Sequence, residues 1–433
     1  MFSMRGIRVT LLWMASLAAL EARAQSAFLY RILSMSPDED AGSGEPATLA
    51  PTLHISSMAN RWYTYSVADY ASGAAVSSGS IWGGPGWAGI IRPDGTIIRT
   101  PIRPADPAAS GLSWCQTYEW TVTSPYSASV RESALFTPIP PETWTLECLL
   151  VSGRYADPCA VKLTDGSGYR LYFTDDSACT LVSAFGTDGT NWTMESGTRF
   201  GRCTWPEVVA LTNGDYRLYY GVTFSVAPYD SRCTSIVSAI STDGGLTFTE
   251  EAGERIAFSN TVYDTASVQG PAVLQLADGT FRMYYQGLAN AAWDGMEYKY
   301  DSYLLSATST DGLTWSSESM VVDGTVPPFD DPLSKESITT PEAIVMADGS
   351  TRLYFKANSN TTTGDPGVHK AVSRDGVNFH VCGTPEFTTN DMITAWGYQF
   401  GDPSLLELPD GTYRMFLSCW DVGIATAHGT ITP

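Results

Sequence analysis

Four carboxylates stand beside the prolines of a recurring segment in this chain. Asp157 and Asp402 come just before Pro158 and Pro403, and Glu207 and Glu342 come just after Pro206 and Pro341. Carboxylates crowded into one concave site can divide acid–base work, because like charges push their pKa values apart and leave one group protonated and another ionised. With flat aromatic rings to stack on a sugar face, such a set is what the hydrolysis of a glycosidic bond requires. Trp205, Trp293, Trp396 and Trp420 are the candidate rings, and Gln269 and His369 the candidate polar contacts. Each tryptophan also has a plain reading as packing between structural units. A histidine in a solvated loop is the plain reading of His369.

What brings these residues together is a repeat. "ADPCAVKLTDGSGYRLYF", "TWPEVVALTNGDYRLYY", "QGPAVLQLADGTFRMYY", "TPEAIVMADGSTRLYF" and "GDPSLLELPDGTYRMFL" share a proline, an apolar run, a DG, NG or related turn, and an Arg between aromatic or apolar residues. Each copy predicts a strand, a tight turn and a second strand. A third strand follows each copy, and four copies continue into "GTDGTNW", "STDGGLTF", "STDGLTW" and "SRDGVNF", which predict a turn before a fourth strand. Four-stranded repeats of this kind are propeller blades, and five copies predict a five-bladed β-propeller over 139–433. The last copy lacks an outer strand, so the segment around "ETWTLECLLVSG" is expected to supply it.

The starts of the first strands and the loops joining strands two and three fall at the same end of every blade. Residues one before and one after a strand position share a face. The four carboxylates are therefore expected to point together toward the axis, in a mouth whose loops hold Tyr229, Trp293, Tyr298 and His369. Blade three has Gly270 and Ala272 at the corresponding positions and Gln269 one residue upstream. Features present in every blade, the repeated Arg170, Arg217, Arg282, Arg352 and Arg414 and the turn aspartates Asp188, Asp243, Asp311 and Asp375, read as scaffold.

The rest of the chain sets the context. Residues 1–24 carry Arg5 and Arg8, an apolar run and Ala22-Arg23-Ala24, the pattern of a secretory signal, so an extracellular or periplasmic location is expected. Residues 26–138 lack the repeat but hold short β-rich runs, which predicts a β-sandwich; the fold class is therefore all-β, sandwich then propeller. A formal charge of −21 disfavours nucleic acid and anionic membranes as partners and suits a neutral carbohydrate. The eight cysteines predict disulfides in an oxidising compartment, with Cys159–Cys179 and Cys203–Cys233 as local candidates. No cofactor motif is present; structural calcium at the mouth is an expectation from its oxygen ligands alone. Oligomeric state is not legible.

The turn motifs resemble the Asp boxes of sialidases, and "STDGGLTF" has the full spacing with Phe in place of Trp. "GLSWCQTYEWTVTS" followed by "SALFTP" resembles late strands of a fibronectin type III or immunoglobulin-like module. The five copies, with "ADP" opening the first, resemble the furanosidase-type glycoside hydrolases of families 43 and 32. That resemblance implies a base or nucleophile at Asp157 and an acid at Glu342. It also implies an Asp in blade three that "VQGPAV" does not contain. The readings to separate are a secreted glycoside hydrolase and a non-catalytic carbohydrate-binding or surface-interaction propeller.

Overall fold

The computed structural model describes 142–433 apart from 227–228, 259–260, 327–328, 330–335, 359–366, 383–384, 397–399, 420–421 and 432–433. Before 142 it describes the strands between 31 and 136 and the bend at 72–74. The chain divides into two compact units, 1–141 and 142–433.

In the first unit, Ala75–Gly83, Arg61–Asp69, Tyr118–Thr123 and Arg131–Phe136 form one antiparallel sheet in that order. Two short two-stranded pairs accompany it. The second facing sheet of a sandwich is not among the described residues, and residues 1–24 lie outside them.

The second unit is a five-bladed propeller. Its innermost strands are Tyr155–Lys162, Thr204–Ala210, Ser267–Gln275, Ile338–Val345 and Phe400–Glu407. They contact one another in cyclic order, the last against the first. Glu142–Ser152 pairs antiparallel with Gly423–Ile431 and so supplies the outer strand of blade five from the front of the unit. One short helix, Thr389–Trp396, lies between blades four and five. Among the described residues no helix is long and apolar enough to cross a membrane.

The hydrophobic core is divided among the blade junctions. Leu218 and Tyr172 pack between blades one and two, Met283 and Tyr219 between two and three, and Leu353 and Tyr284 between three and four. Met415 and Tyr354 fill the fourth junction, and Phe416 and Leu171 the fifth. Burying a side chain of this size is worth about 1.5–3 kcal/mol, so the blades depend on their neighbours for stability.

The repeated Arg and the aromatic two residues later explain why the motif recurs. Arg217 donates to the Asp311 carbonyl at 2.9 Å and Tyr219 to the Gly312 carbonyl at 2.9 Å, both in the turn of the next blade. Arg282 and Tyr284 do the same to Asp375 and Gly376, at 2.8 and 2.7 Å, and Arg170 and Tyr172 reach Gly244 and Gly245. The turn aspartates face their own backbones: Asp311 Oδ1 accepts from the N–H of Leu313 and Thr314 at 2.8 and 2.7 Å. Those bonds hold the Asp311 carboxyl at about 2.

Among the described residues neither local disulfide candidate is formed. Cys159, Cys179 and Cys203 are all free. Cys159 lies opposite Tyr172, whereas Cys179 sits in the turn beyond the Asp175–Thr180 pair, several residues along the strand. Cys203 precedes a strand separated from that of Cys233 by the intervening Tyr216–Val226, roughly two strand spacings or ~10 Å. Neither distance fits the Cα separation a disulfide allows.

Candidate active site

Every inner strand is broken by the same device. The residue before the proline has positive φ in all five blades: Asp157 51°, Trp205 49°, Gly270 56°, Thr340 44° and Asp402 52°. The ladder slips by one residue at each of these points, so each is a β-bulge. Left-handed backbone in Trp and in β-branched Thr is costly and persists only where surrounding structure enforces it. The bulge also cancels the simple alternation that would aim all four carboxylates alike.

The residues after the prolines form a belt between blades. Glu207 Oε1 accepts from the Val273 N–H at 3.1 Å, and Glu342 Oε1 from the Leu405 N–H at 2.7 Å. Cys159 Sγ accepts from the Val208 N–H at 3.1 Å, and Ser404 Oγ from the Ala160 N–H at 3.0 Å. Each acceptor thus reaches the same backbone position of the next blade, and only blade three, with Ala272, breaks the pattern. The Cys159 thiol also approaches Glu207 Oε2 at 3.3 Å. Burial pushes the Glu207 carboxyl up to about 7, and burial with the charge of Glu207 pushes Glu342 well above the carboxylate range.

The residues before the prolines behave differently. Asp157 Oδ2 accepts from the Trp205 N–H at 3.2 Å and the Thr174 hydroxyl at 3.3 Å, while the Asp157 N–H donates to Ser418 Oγ at 2.8 Å. Burial, then the charge of Asp402 in the adjacent blade five, raises the Asp157 carboxyl well above its usual range. The four carboxylates therefore divide into two pairs: Asp157 with Asp402, and Glu207 with Glu342.

A third set of residues completes the site, and all of them stand four positions after a repeated Arg: Thr174, Gly221, Gln286, Lys356 and Ser418. Thr174 and Ser418 bind Asp157 as above. Gly221 makes room for Trp205, since a Cβ there would meet the indole at 3.0 Å. The Lys356 chain runs across Gly401, where a Cβ would lie 2.8 Å from Cδ and 3.6 Å from Nζ. Burial lowers the Lys356 ammonium, opposed by the charges of Asp402 and Glu336. Gln269 Nε2 donates to Gln286 Oε1 at 2.8 Å, and both glutamines donate to Glu336 Oε2 at 3.3 Å. Asp402 acts through its charge on Asp157 and Lys356, Glu336 acts likewise on Lys356, and Glu336 accepts from Gln269, so polar groups form an arc around the mouth.

Other expectations fare unequally. His369 is not on a loop: it lies in the strand Gly367–Ser373, 2% exposed, stacked on Phe355 and edge-on to Phe329. Apolar partners on two sides pull its ring into the core. Trp293 and Tyr298 occupy a strand hairpin rather than a loop, and Trp293 is 59% exposed. Trp420 and the side chain of Trp396 lie outside the described residues. Among the described residues no group of three or more His, Cys, Asp or Glu is arranged to hold a metal ion. Lys356 and Gln286 were not among the sequence candidates, although the letter that varies four residues after each repeated Arg marks them; Glu336, just ahead of the inner strand of blade four, carries no such signal.

No protein-family model and no curated protein sequence matches the chain. Among solved structures, it is similar to a thermostable family-43 glycoside hydrolase at 16% identity, over 65% of this chain and 89% of that one, with a TM-score of 0.49. It is also similar to an endo-arabinase from Bacteroides thetaiotaomicron VPI-5482 at 14% identity, over 67% and 98% of the two chains, TM-score 0.49. A third similarity is to a member of the GH130 family of mannoside phosphorylases and hydrolases, at 16% identity over 64% and 84%, TM-score 0.46.

Proposed function

We propose that the protein is a secreted glycoside hydrolase that acts on a poly- or oligosaccharide at the mouth of its propeller. The observation that carries this reading is the Asp157–Asp402 pair, two carboxyls at equivalent bulges of adjacent blades, with the Asp157 carboxyl raised well above its usual range by burial and its neighbour's charge. In this scheme Asp157 gives its proton to the glycosidic oxygen as the bond to the anomeric carbon breaks. Asp402 either takes a proton from the attacking water or attacks the anomeric carbon itself, the outcome depending on carboxyl separation. This assigns Asp157 the acid role, whereas the resemblance to families 43 and 32 implied a base there and an acid at Glu342. Secretion rests on the residue pattern of 1–24, and a sandwich in the first unit on its four-stranded antiparallel sheet.

The second reading, a carbohydrate-binding propeller without catalysis, is favoured by the belt. Glu207 and Glu342 each commit an oxygen to a neighbouring blade, and blade three offers Gln269 in place of an acid.

The test is reducing-sugar release from arabinans, xylans, fructans and mannans by the protein lacking 1–24. Asp157→Asn and Asp402→Asn should each lose about 10²–10⁴-fold in rate, the usual worth of a positioned acid or base. Glu342→Gln separates the two assignments, since equal loss there would return the acid role to Glu342. No release from any polymer, with binding to one retained, would sink the hydrolase reading.

A further inference from the structure

The second hairpin of blade three is longer than it needs to be for the blade. Its strands are Phe281–Trp293 and Tyr298–Ser309; the second strands of blades one, four and five have seven residues, and among the described residues blade two alone has a hairpin of similar length, Tyr216–Val226 with Tyr229–Ser241. The excess lies at the mouth end. Beyond Ser267, the first residue of the inner strand, the hairpin continues from its Leu288–Ser302 pair to the tip at Asp294–Glu297.

That projection carries aromatic rings on one face. Tyr298, Tyr300 and Ser302 alternate along one strand and so share a side, and Trp293 lies directly opposite Tyr298. Trp293 and Tyr298 meet edge to face at 5.2 Å, and Tyr298 and Tyr300 are 6.4 Å apart. At the base of the same face, Gln286 Nε2 donates to Ser302 Oγ at 3.1 Å and to the Ile338 carbonyl at 2.8 Å. Gln286, Ser302 and Tyr300 are buried and form the packed base of the ladder at the blade-three end of the polar arc, so the rings open to a ligand are Trp293 and, in part, Tyr298 toward the tip. From Gln286 to Trp293 the ladder extends roughly 20 Å at the usual strand rise.

We propose that this ladder carries the sugar units of an extended, uncharged glycan chain beyond the bond held at the mouth. The inference rests on the reading of the mouth as a glycan site and adds the class of substrate, a polymer rather than a mono- or disaccharide. Trp and Tyr present an apolar face with a polar edge, which suits sugar rings that are apolar on one side and hydroxylated at the rim. The surroundings select against an anionic chain: Asp294, Glu297 and Asp301 flank the rings, and Lys299 beside them is paired with Glu297 at 3.1 Å and Asp294 at 3.7 Å.

The experiment uses Trp293→Ala with Tyr298→Ala in the full chain, beside Asp157→Asn. Migration is measured in native gels cast with arabinan, xylan, mannan or levan, and rates are measured on the matching oligosaccharides from dimer to octamer. We expect retardation of the wild type and of Asp157→Asn in one of the gels and about tenfold weaker retardation of the double variant, the worth of one or two aromatic contacts. The rate on the octamer should fall with it while the rate on the dimer stays. Retardation without hydrolysis would defeat the hydrolase reading and leave the platform standing. Equal retardation of the double variant, no retardation in any gel, or concentration-dependent dimerisation that Trp293→Ala abolishes would overturn the platform. Unchanged melting of the double variant, expected for an exposed tip, keeps a folding defect from mimicking the result.

Discussion

Glu142 and Tyr354 close the propeller: the Tyr354 hydroxyl donates to Glu142 Oε2 at 2.8 Å. At three other junctions the equivalent tyrosine donates to a carbonyl in the turn of the next blade. Blade five has no such turn, because its outer strand arrives from 142–152, and the carboxylate at the start of that strand takes the vacant role. Arg352 Nε lies 3.6 Å from Glu142 Oε1 and Lys370 Nζ 3.2 Å, with Lys370 also 2.9 Å from Glu386.

Removing one partner of such a buried ionic group leaves charge uncompensated. Glu142→Ala is therefore expected to destabilise the propeller by about 3–5 kcal/mol, against about 1 kcal/mol for Tyr219→Phe at an ordinary junction. Urea unfolding of the two variants checks the ranking. Equal midpoints would mean that Glu142 is no more than one junction among five.

The five-blade count and the closing segment were legible because they follow from repetition, which needs no knowledge of side-chain direction. The division of the carboxylates was not. Strand alternation placed Asp157, Glu207, Glu342 and Asp402 on one face, and the bulge at each X-Pro step, invisible in residue types such as Trp205 and Thr340, sent the glutamates into the belt and left the aspartates at the mouth. Cysteine count misled for a related reason: Cys159 serves as an acceptor for the Val208 N–H, a role no spacing reveals.

Backbone strain at the bulges gives a second prediction. Gly270 has φ 56°, and a Cβ there would press on Thr340 at 3.3 Å, so Gly270→Ala should destabilise by about 1 kcal/mol or more. Thr340 holds φ 44° with a branched side chain, and Thr340→Gly should be neutral or stabilising by up to about 1 kcal/mol. Thermal melting of both variants tests the opposite signs. Loss of stability in Thr340→Gly would show that its side-chain packing outweighs the strain.

Thiol accessibility gives a third. Among the described residues Cys148 and Cys179 are exposed, and Cys159, Cys203, Cys382 and Cys419 are buried. Of these six, alkylation of the native protein followed by peptide mass mapping should modify Cys148 and Cys179 alone, with the other four reacting only in denaturant. A Cys159–Cys179 or Cys203–Cys233 peptide linked under non-reducing conditions would contradict the arrangement described here.

Two groups of carboxyls set opposite pH limbs for stability. Hydrogen bonds in their turns hold Asp243, Asp311 and Asp375 at about 2, below the ordinary value of 3.8, so the stability they contribute is complete above pH ~4 and lost as pH falls toward 2. Glu207 runs the other way. Its carboxyl is raised from 4.5 to about 7, so the folded state binds a proton that the unfolded chain releases, and stability falls as pH rises from 4.5 through 7. Glu207→Gln keeps an oxygen to accept the Val273 N–H and cannot ionise. The variant should show a flatter decline between pH 4.5 and 7 and an unchanged acid limb, measured as urea midpoints across pH. An identical decline in wild type and variant would remove Glu207 as its source and shift attention to Glu342, whose carboxyl is raised by burial and by Glu207 itself.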